Sequence, residues 1–104
     1  MYYYIDLSDI DSFDWDDGNR SKNEAKHSVS NKESEEVFFN RPIFFFTDQK
    51  HSDIEQRILV YGKTDSSRHL TLVFTRRTNK IRIISVRDMN KKERTKYEEL
   101  KTNA

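Results

Sequence analysis

The sequence contains no cysteine, so it has neither a disulfide framework nor thiolate chemistry. It also lacks an N-terminal basic segment followed by an apolar run. No stretch approaches the roughly 18 uninterrupted apolar residues that a membrane-spanning helix needs. We therefore expect a soluble cytoplasmic protein with no membrane association.

Glycine and proline are also rare, with two residues and one residue, and the hydrophobic fraction is only 34%. A disordered chain would be poor in aromatic residues as well, whereas aromatic residues make up 12% of this sequence. A chain of this length buries roughly two thirds of its unfolded surface on folding. These figures predict one folded domain, residues 1–104, with a single modest core.

The first half of the chain is poor in basic residues, and the second half is poor in acidic residues. Residues 1–56 hold 13 Asp/Glu and 6 Lys/Arg, whereas residues 57–104 hold 5 and 13, so the net charge of +1 hides a strong asymmetry. A basic half that lies on one surface would attract a polyanion such as nucleic acid. The alternative is that the two halves form ion pairs with each other in the fold.

Turn and capping residues predict two helices in the first half of the chain. The turn residues Asp-Asp-Gly-Asn lead into a short helix over about 19–26. Ser30 with Glu33 three residues later forms a capping-box pattern, which predicts a second helix over about 31–39. Pro42 ends this helix, because proline cannot continue it.

Four stretches rich in β-branched and aromatic residues predict strands: "IFFFTD", "RILVYGKT", "HLTLVFTRR" and "KIRIISVRD". Short links make antiparallel hairpins of the last three. Asn90 and Glu93 repeat the capping pattern and predict a final helix over about 91–101. The order is that of an α+β domain with two N-terminal helices, a four-stranded mainly antiparallel sheet, an optional N-terminal strand and a C-terminal helix.

Patterns for a metal site are weak. Gly18 and Glu24 have the spacing of a calcium-binding EF loop, but its first and third ligand positions would be Phe13 and Trp15, whose side chains carry no oxygen. The three histidines share no ligand spacing, and without cysteine a structural zinc site is not expected. His27 stays open between acid–base catalysis and a packing role at a helix end.

Arginines in the predicted strands suggest phosphate binding, because a guanidinium is planar and permanently charged. The alternative is that their stems cover the core. Glu93 and Tyr97 are four residues apart, so the last helix presents both on one face near the last strand. Strict alternation divides that strand into one face with Ile81, Ile83, Ser85 and Arg87 and another with Arg82, Ile84 and Val86.

Five pieces of sequence, in order and with natural spacing, resemble the BrnT toxins. They are "FDWD" at 13–16, "KHSVS" at 26–30 followed by "EEVFF", "R...YGKT" from Arg57, "RIISVR" at 82–87 and "ER..Y" at 93–97. The resemblance covers some four fifths of the chain.

The sequence departs from the BrnT pattern in two short places. The family usually has glycine after the Lys-His pair, where this chain has Ser28, and phenylalanine after "VS", where it has Asn31. Glycine would accept a positive φ there at little cost, whereas serine would not. Residues 1–12 extend beyond the usual family start, and the resemblance says nothing about their role.

The resemblance implies a RelE-like fold and the toxin of a type II toxin–antitoxin system. Such a toxin is an endoribonuclease that cleaves RNA without a metal or other cofactor and inhibits translation. The implied partner is a BrnA-like antitoxin, in a heterotetramer that reaches operator DNA only through the antitoxin. The alternative is a non-catalytic RNA-binding module, or an inactive toxin that acts as a corepressor.

The predicted site combines residues for charge stabilisation, for proton transfer or positioning, and for RNA contact. Cleavage through the ribose 2′-oxygen needs one proton removed, one supplied and charge stabilised on the phosphate. Charge stabilisation is assigned to Arg57, Arg82 and Arg87, proton transfer or positioning to Glu93, Tyr97 and His27, and further RNA contacts to Lys63, Arg76, Arg77 and Lys80.

Overall fold

A computed structural model describes residues 5–47 and 55–103 of the protein. Five strands form one sheet in the order β1-β5-β4-β3-β2, in which β1 runs parallel to β5 and the other neighbours are antiparallel. The elements are β1 (Ser12–Phe13), α1 (Lys22–His27), α2 (Asn31–Glu36), a 3-10 helix (Val37–Phe39), β2 (Phe44–Thr47), β3 (Arg57–Lys63), β4 (His69–Arg77), β5 (Lys80–Asp88) and α3 (Lys91–Asn103).

The α+β class and the four strands predicted from the sequence are confirmed, and the optional N-terminal strand is present as β1, so the sheet has five strands. The added strand β1 is only two residues long, and it pairs Ser12 with Lys80 and Phe13 with Ile81. This parallel pair makes the sheet mixed. Residues 1–4, His51 and most of the polar connection between β2 and β3 lie outside the described residues.

The first helix begins three residues later than predicted, because Asn19 belongs to the preceding turn. Its side-chain amide donates to the carbonyls of Asp14 and Ile83, at 2.9 and 3.1 Å, and its side-chain oxygen accepts from the backbone N–H of Asp16. Asn19 is buried, and these bonds tie the turn to the edge of β5. Side-chain bonds to the backbone of this kind favour turns over helix.

The other two helices begin at their predicted caps. Ser30 and Glu33 exchange hydrogen bonds as a capping box for α2, and Asn90 and Glu93 do the same for α3. The predicted helix over 31–39 changes from α-helix to 3-10 helix at Val37. Both capping patterns are therefore confirmed.

One face of the sheet packs against α1 and the 3-10 helix, and we call it the closed face. Gly62 on this face lets the 3-10 helix approach, since a Cβ there would lie 2.7 Å from Val37 Cγ1. The core joins Val29, Val37 and Phe38 to the sheet residues Phe45, Ile58, Val60, Leu70, Leu72, Phe74, Ile81, Ile83 and Val86.

A β-bulge in β5 corrects the predicted division of this strand. Val73 pairs with Ser85, but the next residue, Phe74, pairs with Ile83, so Ile84 is the extra residue. Val86 therefore joins Ile81 and Ile83 on the closed face, and all three are buried. Strict alternation had put Val86 on the other side, and a bulge shifts the phase by one residue.

Candidate nucleic-acid interface and active site

The opposite face of the sheet, which we call the open face, carries the predicted arginines in two rows. The first row runs from Arg57 on β3 to Arg82 on β5, and the second from Tyr61 on β3 to Arg87 on β5. Because of the bulge, Arg82 and Arg87 share this face, although alternation separates them in the sequence. The row between them contains Leu59, Val73 and Ser85, each partly exposed.

Arg87 and Glu93 form a bidentate ion pair where α3 begins over the open face. The two guanidinium nitrogens of Arg87 donate to the two carboxylate oxygens of Glu93 at 2.7 and 2.9 Å. Glu93 also accepts from the backbone N–H of Asn90 at 2.9 Å. The helix cap thus fixes the carboxylate, and the carboxylate fixes the plane of the guanidinium.

The surroundings of this pair change the pKa values of three groups. Burial alone raises the pKa of Glu93, but hydrogen bonds from Arg87 and from the backbone of Asn90 outweigh burial and lower it overall. The hydrogen bonds to Glu93 raise the pKa of Arg87. Burial, and then the charge of Glu93, raises the pKa of Tyr61, which lies in the same row as Arg87. Near neutral pH the site therefore holds an ion pair beside a protonated phenol.

Tyr97 belongs to α3 and is fully buried. Its ring packs edge-on against His69 and Phe44, with centroid distances of 5.3 and 5.6 Å. Its hydroxyl donates to the carbonyl of Pro42 at 2.8 Å. The packing supports a structural role, because a buried hydroxyl that already donates its proton is shielded from a bound substrate.

Arg82 is held by carboxylates of the N-terminal segment. Its guanidinium donates to both oxygens of Asp16 at 2.9 and 3.0 Å, and it lies 3.6 Å from Asp14. The hydrogen bond from Arg82 lowers the pKa of Asp16. The Arg82 side chain is only 12% exposed, so in this conformation the acidic segment covers it.

The other predicted RNA contacts lie towards the two ends of the sheet. Arg76 pairs with Asp9, and Arg77 with Glu55 at 3.3 Å. Lys80 is exposed beside them at the β4–β5 turn, whereas Lys63 is at the far end of β3, opposite His69. Ion pairs between the acidic and basic halves therefore do form, as the alternative interpretation of the charge asymmetry expects.

His27 belongs to a separate cluster around Arg68, a residue that sequence reasoning missed. Arg68 donates to Glu33, to both oxygens of Asp88 at 2.7 and 2.9 Å, and to the carbonyl of Ser28. The carbonyl of His27 is also a neighbour, 3.5 Å from a guanidinium nitrogen. The structure thus puts His27 with this cluster and not with Arg87 and Glu93. The "KHSVS" and "YGKT" motifs, which meet here, gave no direct signal for Arg68.

A groove lies between the open face and α3, with a volume of about 750 Å³. Phe46, Leu59 and Tyr61 line it from the sheet, and Lys92, Glu93 and Lys96 line it from the helix. Phe46 and Tyr61 were not among the predicted site residues. No aromatic pattern indicated them, because "IFFFTD" has three consecutive phenylalanines and "RILVYGKT" a single tyrosine. Strand alternation assigns both residues to the open face only once the closed face is known.

The described residues offer neither a metal-binding cluster nor a membrane-spanning helix. Residues 5–47 and 55–103 contain no group of three or more His, Asp or Glu side chains that could hold a metal ion. Within the same residues, no helix is long and apolar enough to cross a membrane.

The structure is thus a small α+β domain with paired arginine and carboxylate groups on an open sheet face. The sequence matches the family model of the ribonuclease toxin BrnT of type II toxin–antitoxin systems over residues 15–93. This match covers well over half of the chain, so the protein belongs to the BrnT family of ribonuclease toxins. A search of curated proteins found no match. The matched residues include Arg57, Arg82, Arg87 and Glu93, but not Tyr97.

Proposed function

We propose that this BrnT-family protein is an endoribonuclease whose active site is the part of the open face around Arg87 and Glu93. The observation that carries the proposal is their bidentate pair, at 2.7 and 2.9 Å, beside an accessible groove. The Nη1 atom of Arg87 also donates to the carbonyl of Asp88 at 3.2 Å, but the side chain is 40% exposed, so part of the guanidinium is accessible to a ligand. An oriented, permanently charged guanidinium stabilises the charge that develops on a phosphate during cleavage.

The proposed reaction is metal-independent attack of a ribose 2′-oxygen on the adjacent phosphate, with departure of the 5′-oxygen. Arg87 stabilises the phosphate oxygens, and Arg57 and Arg82, in the next row but one, bind the flanking chain. Glu93 orients Arg87, and as an ionised carboxylate it is also a candidate to accept the 2′-proton. His27 and Tyr97 remain predictions from the sequence, and their surroundings support structural roles instead.

RNA binding along the basic half has to compete with the internal ion pairs. Arg76, Arg77 and Arg82 each have a carboxylate partner that is at least about one third exposed. The pairs of Arg76 and Arg77 are exposed on both sides and contribute little to stability, so a phosphate can replace the carboxylate there at small cost, whereas Arg82, only 12% exposed, must first be uncovered from Asp16. We propose that these arginines, with Lys63 and Lys80, form the wider RNA contact surface.

The proposal also includes an antitoxin partner and a cellular role in the inhibition of translation. A type II toxin has a protein antitoxin, and we propose that this one is BrnA-like, forms a heterotetramer with the toxin and carries the DNA-binding part that reaches the operator. Cleavage of RNA would then inhibit translation in the cytoplasm until the antitoxin is present. The RelE-like fold also remains a prediction.

The direct test is RNA cleavage by the purified protein in the presence of EDTA. We expect products that end in a 2′,3′-cyclic phosphate, and no cleavage of an otherwise identical strand with 2′-deoxyribose at the cut position. Loss of cleavage in EDTA that Mg²⁺ restores would contradict the metal-independent mechanism. An intact deoxy control together with cleaved RNA separates this chemistry from a contaminating nuclease with another mechanism.

The non-catalytic alternative makes a different prediction. The ion pairs of Arg76, Arg77 and Arg82 are compatible with its corepressor form, because in this conformation they occupy cations that RNA would need. If the protein is an active ribonuclease, its expression alone should arrest bacterial growth, and coexpression of the adjacent antitoxin gene should restore growth. Normal growth with abundant folded toxin, joined with operator binding only in the complex, would favour the corepressor.

A further inference from the structure

Two aromatic rings form the floor of the groove between the open face and α3. Phe46 on β2 and Tyr61 on β3 are diagonal neighbours, with ring centroids 4.9 Å apart and planes inclined at 54°. Both residues are partly exposed and line the groove with Leu59. The hydrophobic core does not contain these rings, which belong to the face that α3 leaves partly uncovered.

With Arg87 included, the charged groups around this floor are three cations and two carboxylates. Lys92 and Lys96 are exposed on the α3 wall, and Arg87 lies in the same sheet row as Tyr61. The charge of Glu93 is compensated by Arg87, whereas Glu99 adds a carboxylate at the rim. An apolar aromatic floor with cations along its wall is complementary to a nucleotide, which has a flat base and an anionic phosphate.

Another large groove of the described structure has a more acidic lining. It is lined by Phe39, Ile10 and Ile43, with Asp6 and Asp11 at its rim and Arg41 as the one cation in its lining. Phe39 is 75% exposed there. Both grooves are lined by two carboxylates, but the open-face groove adds two lysines and has Arg87 paired with Glu93, whereas this groove has one arginine. The open-face groove therefore suits RNA better, and Phe39 offers a matched control.

We propose that the open-face groove binds one unpaired base of single-stranded RNA, stacked on Phe46 and Tyr61, and so places the neighbouring phosphate at Arg87. Tyr61, Thr71 and Arg87 share one row across three strands, so the Cα atoms of Tyr61 and Arg87 are roughly 10 Å apart. Both side chains lie on the same face, and the gap between ring and guanidinium is one that a single nucleotide can bridge. This inference rests on the proposed function, for which it names the form of the substrate.

The experiment uses a 2′-O-methyl RNA oligonucleotide, which cannot be cleaved, and a second strand of the same length with abasic sugars. Phe46→Leu and Tyr61→Leu keep apolar volume but remove the ring, whereas Tyr61→Phe keeps the ring. We expect each leucine variant to raise the Kd for the base-bearing strand about tenfold. Tyr61→Phe and the control Phe39→Leu should stay within about twofold of the parent protein.

The abasic strand distinguishes stacking from a general effect on the groove. The parent should bind the abasic strand about tenfold more weakly, and the leucine variants should no longer distinguish the two strands. Equal binding of both strands by the parent would overturn the inference. So would an equal loss for both strands in the leucine variants, because the rings would then only shape the groove.

Failure of this inference can be separated from failure of the proposed function. If the parent cleaves RNA but the leucine variants bind the base-bearing strand normally, the stacking site is wrong and the ribonuclease proposal stands. If stacking is observed but the parent leaves RNA intact, the groove binds RNA without cleaving it.

Discussion

The closed and open faces of the sheet are built from alternate residues of the same strands, yet their environments differ sharply. On β4, Leu72 and Phe74 point into the core and are fully buried, whereas Val73 between them is partly exposed. The closed face fixes the register of the strands, since a slip of one residue would expose its whole apolar set. That register in turn fixes the position of each side chain on the open face.

The arginines near the two faces also differ in how completely their ion pairs enclose them. Arg68, near the closed face, is surrounded by Glu33, Asp88 and a backbone carbonyl. Arg87, on the open face, has one carboxylate partner and remains 40% exposed. We infer that the first arginine stabilises the fold and the second is available to a ligand.

Substitution on the two faces should affect stability very differently. Phe74→Ala removes a fully buried ring that contacts Phe38 and Phe45, with centroid distances of 5.2 and 6.3 Å. We expect it to lower the free energy of unfolding by about 3–5 kcal/mol. Val73→Ala should cost about 1 kcal/mol or less. Urea unfolding of both variants checks this, and equal losses would mean that the open face is as tightly packed as the core.

Removal of the Arg87 guanidinium should affect cleavage more than folding. Arg87→Ala takes away charge at the developing phosphate negativity, so we expect the rate of RNA cleavage to fall on the order of 10²-fold. Unfolding should change by about 1 kcal/mol or less, because the pair is partly exposed. Arg94→Ala is the matched control, since Arg94 pairs with Glu98 at 3.3 Å on the outside of α3. A similar loss of rate in the control would remove the special role of Arg87.

The Arg68 cluster should give the protein an acid-sensitive part of its stability. Hydrogen bonds, first from the Ser30 backbone and then from Arg68, lower the pKa of Glu33, and Arg68 lowers the pKa of Asp88. A carboxyl group whose pKa is lower in the folded state than in the unfolded state stabilises the fold at pH values above its unfolded pKa, near 4. This stabilisation is lost as the pH falls through the pKa of the folded state.

Arg68→Met tests this contribution. We expect a loss of about 1–2 kcal/mol at pH 7, because the side chains are only partly buried. The decrease in stability below about pH 4 should also become shallower than in the parent. Chemical unfolding between pH 2 and pH 7 measures both effects. Parallel pH profiles for parent and variant would contradict the assignment of the low pKa values to Arg68.

Tyr97, which is buried on α3, and Tyr61, which is partly exposed on β3, give a finer comparison. Tyr97→Phe leaves the carbonyl of Pro42 without its 2.8 Å donor, so unfolding should become easier by about 1 kcal/mol while cleavage of RNA continues. Tyr61→Phe should leave stability within about 0.5 kcal/mol. Thermal unfolding and a cleavage assay together test the pair. A stable Tyr97→Phe protein without activity would support the catalytic role that the sequence predicts for Tyr97.

Local signals predicted much of the fold. The capping pairs Ser30–Glu33 and Asn90–Glu93 act between neighbouring residues, so they survive in the structure unchanged. The bulge at Ile84 was not predictable from alternation, because the apolar residues of "KIRIISVRD" fit either phase. The short strand β1 also escaped firm prediction, since two residues carry almost no periodic signal.

The candidate site was predicted less completely than the fold. Arg87 and Glu93 are six residues apart across a helix cap, so the sequence could bring them together. Tyr61 joins them only through the pairing of β3, β4 and β5, which one sequence does not reveal in detail. The burial of Tyr97 likewise depends on how α3 docks. Its distance from the open groove is set by tertiary packing and not by its helical spacing from Glu93.

A small gain in stability is expected at the end of α1, on the side of the closed face. Ser28 has φ 55° and ψ 36°, the left-handed conformation in which a Cβ is unfavourable. Ser28→Gly should therefore raise the free energy of unfolding by about 0.5–1 kcal/mol, after the greater flexibility of unfolded glycine is allowed for. Ser21→Gly, at the other end of the helix with φ −110°, should bring no gain. Since Ser28 binds Arg68 through its backbone carbonyl, the glycine variant keeps that bond, and cleavage of RNA should be unchanged. A loss of stability in Ser28→Gly would mean that the serine side chain contributes more than its strained backbone costs.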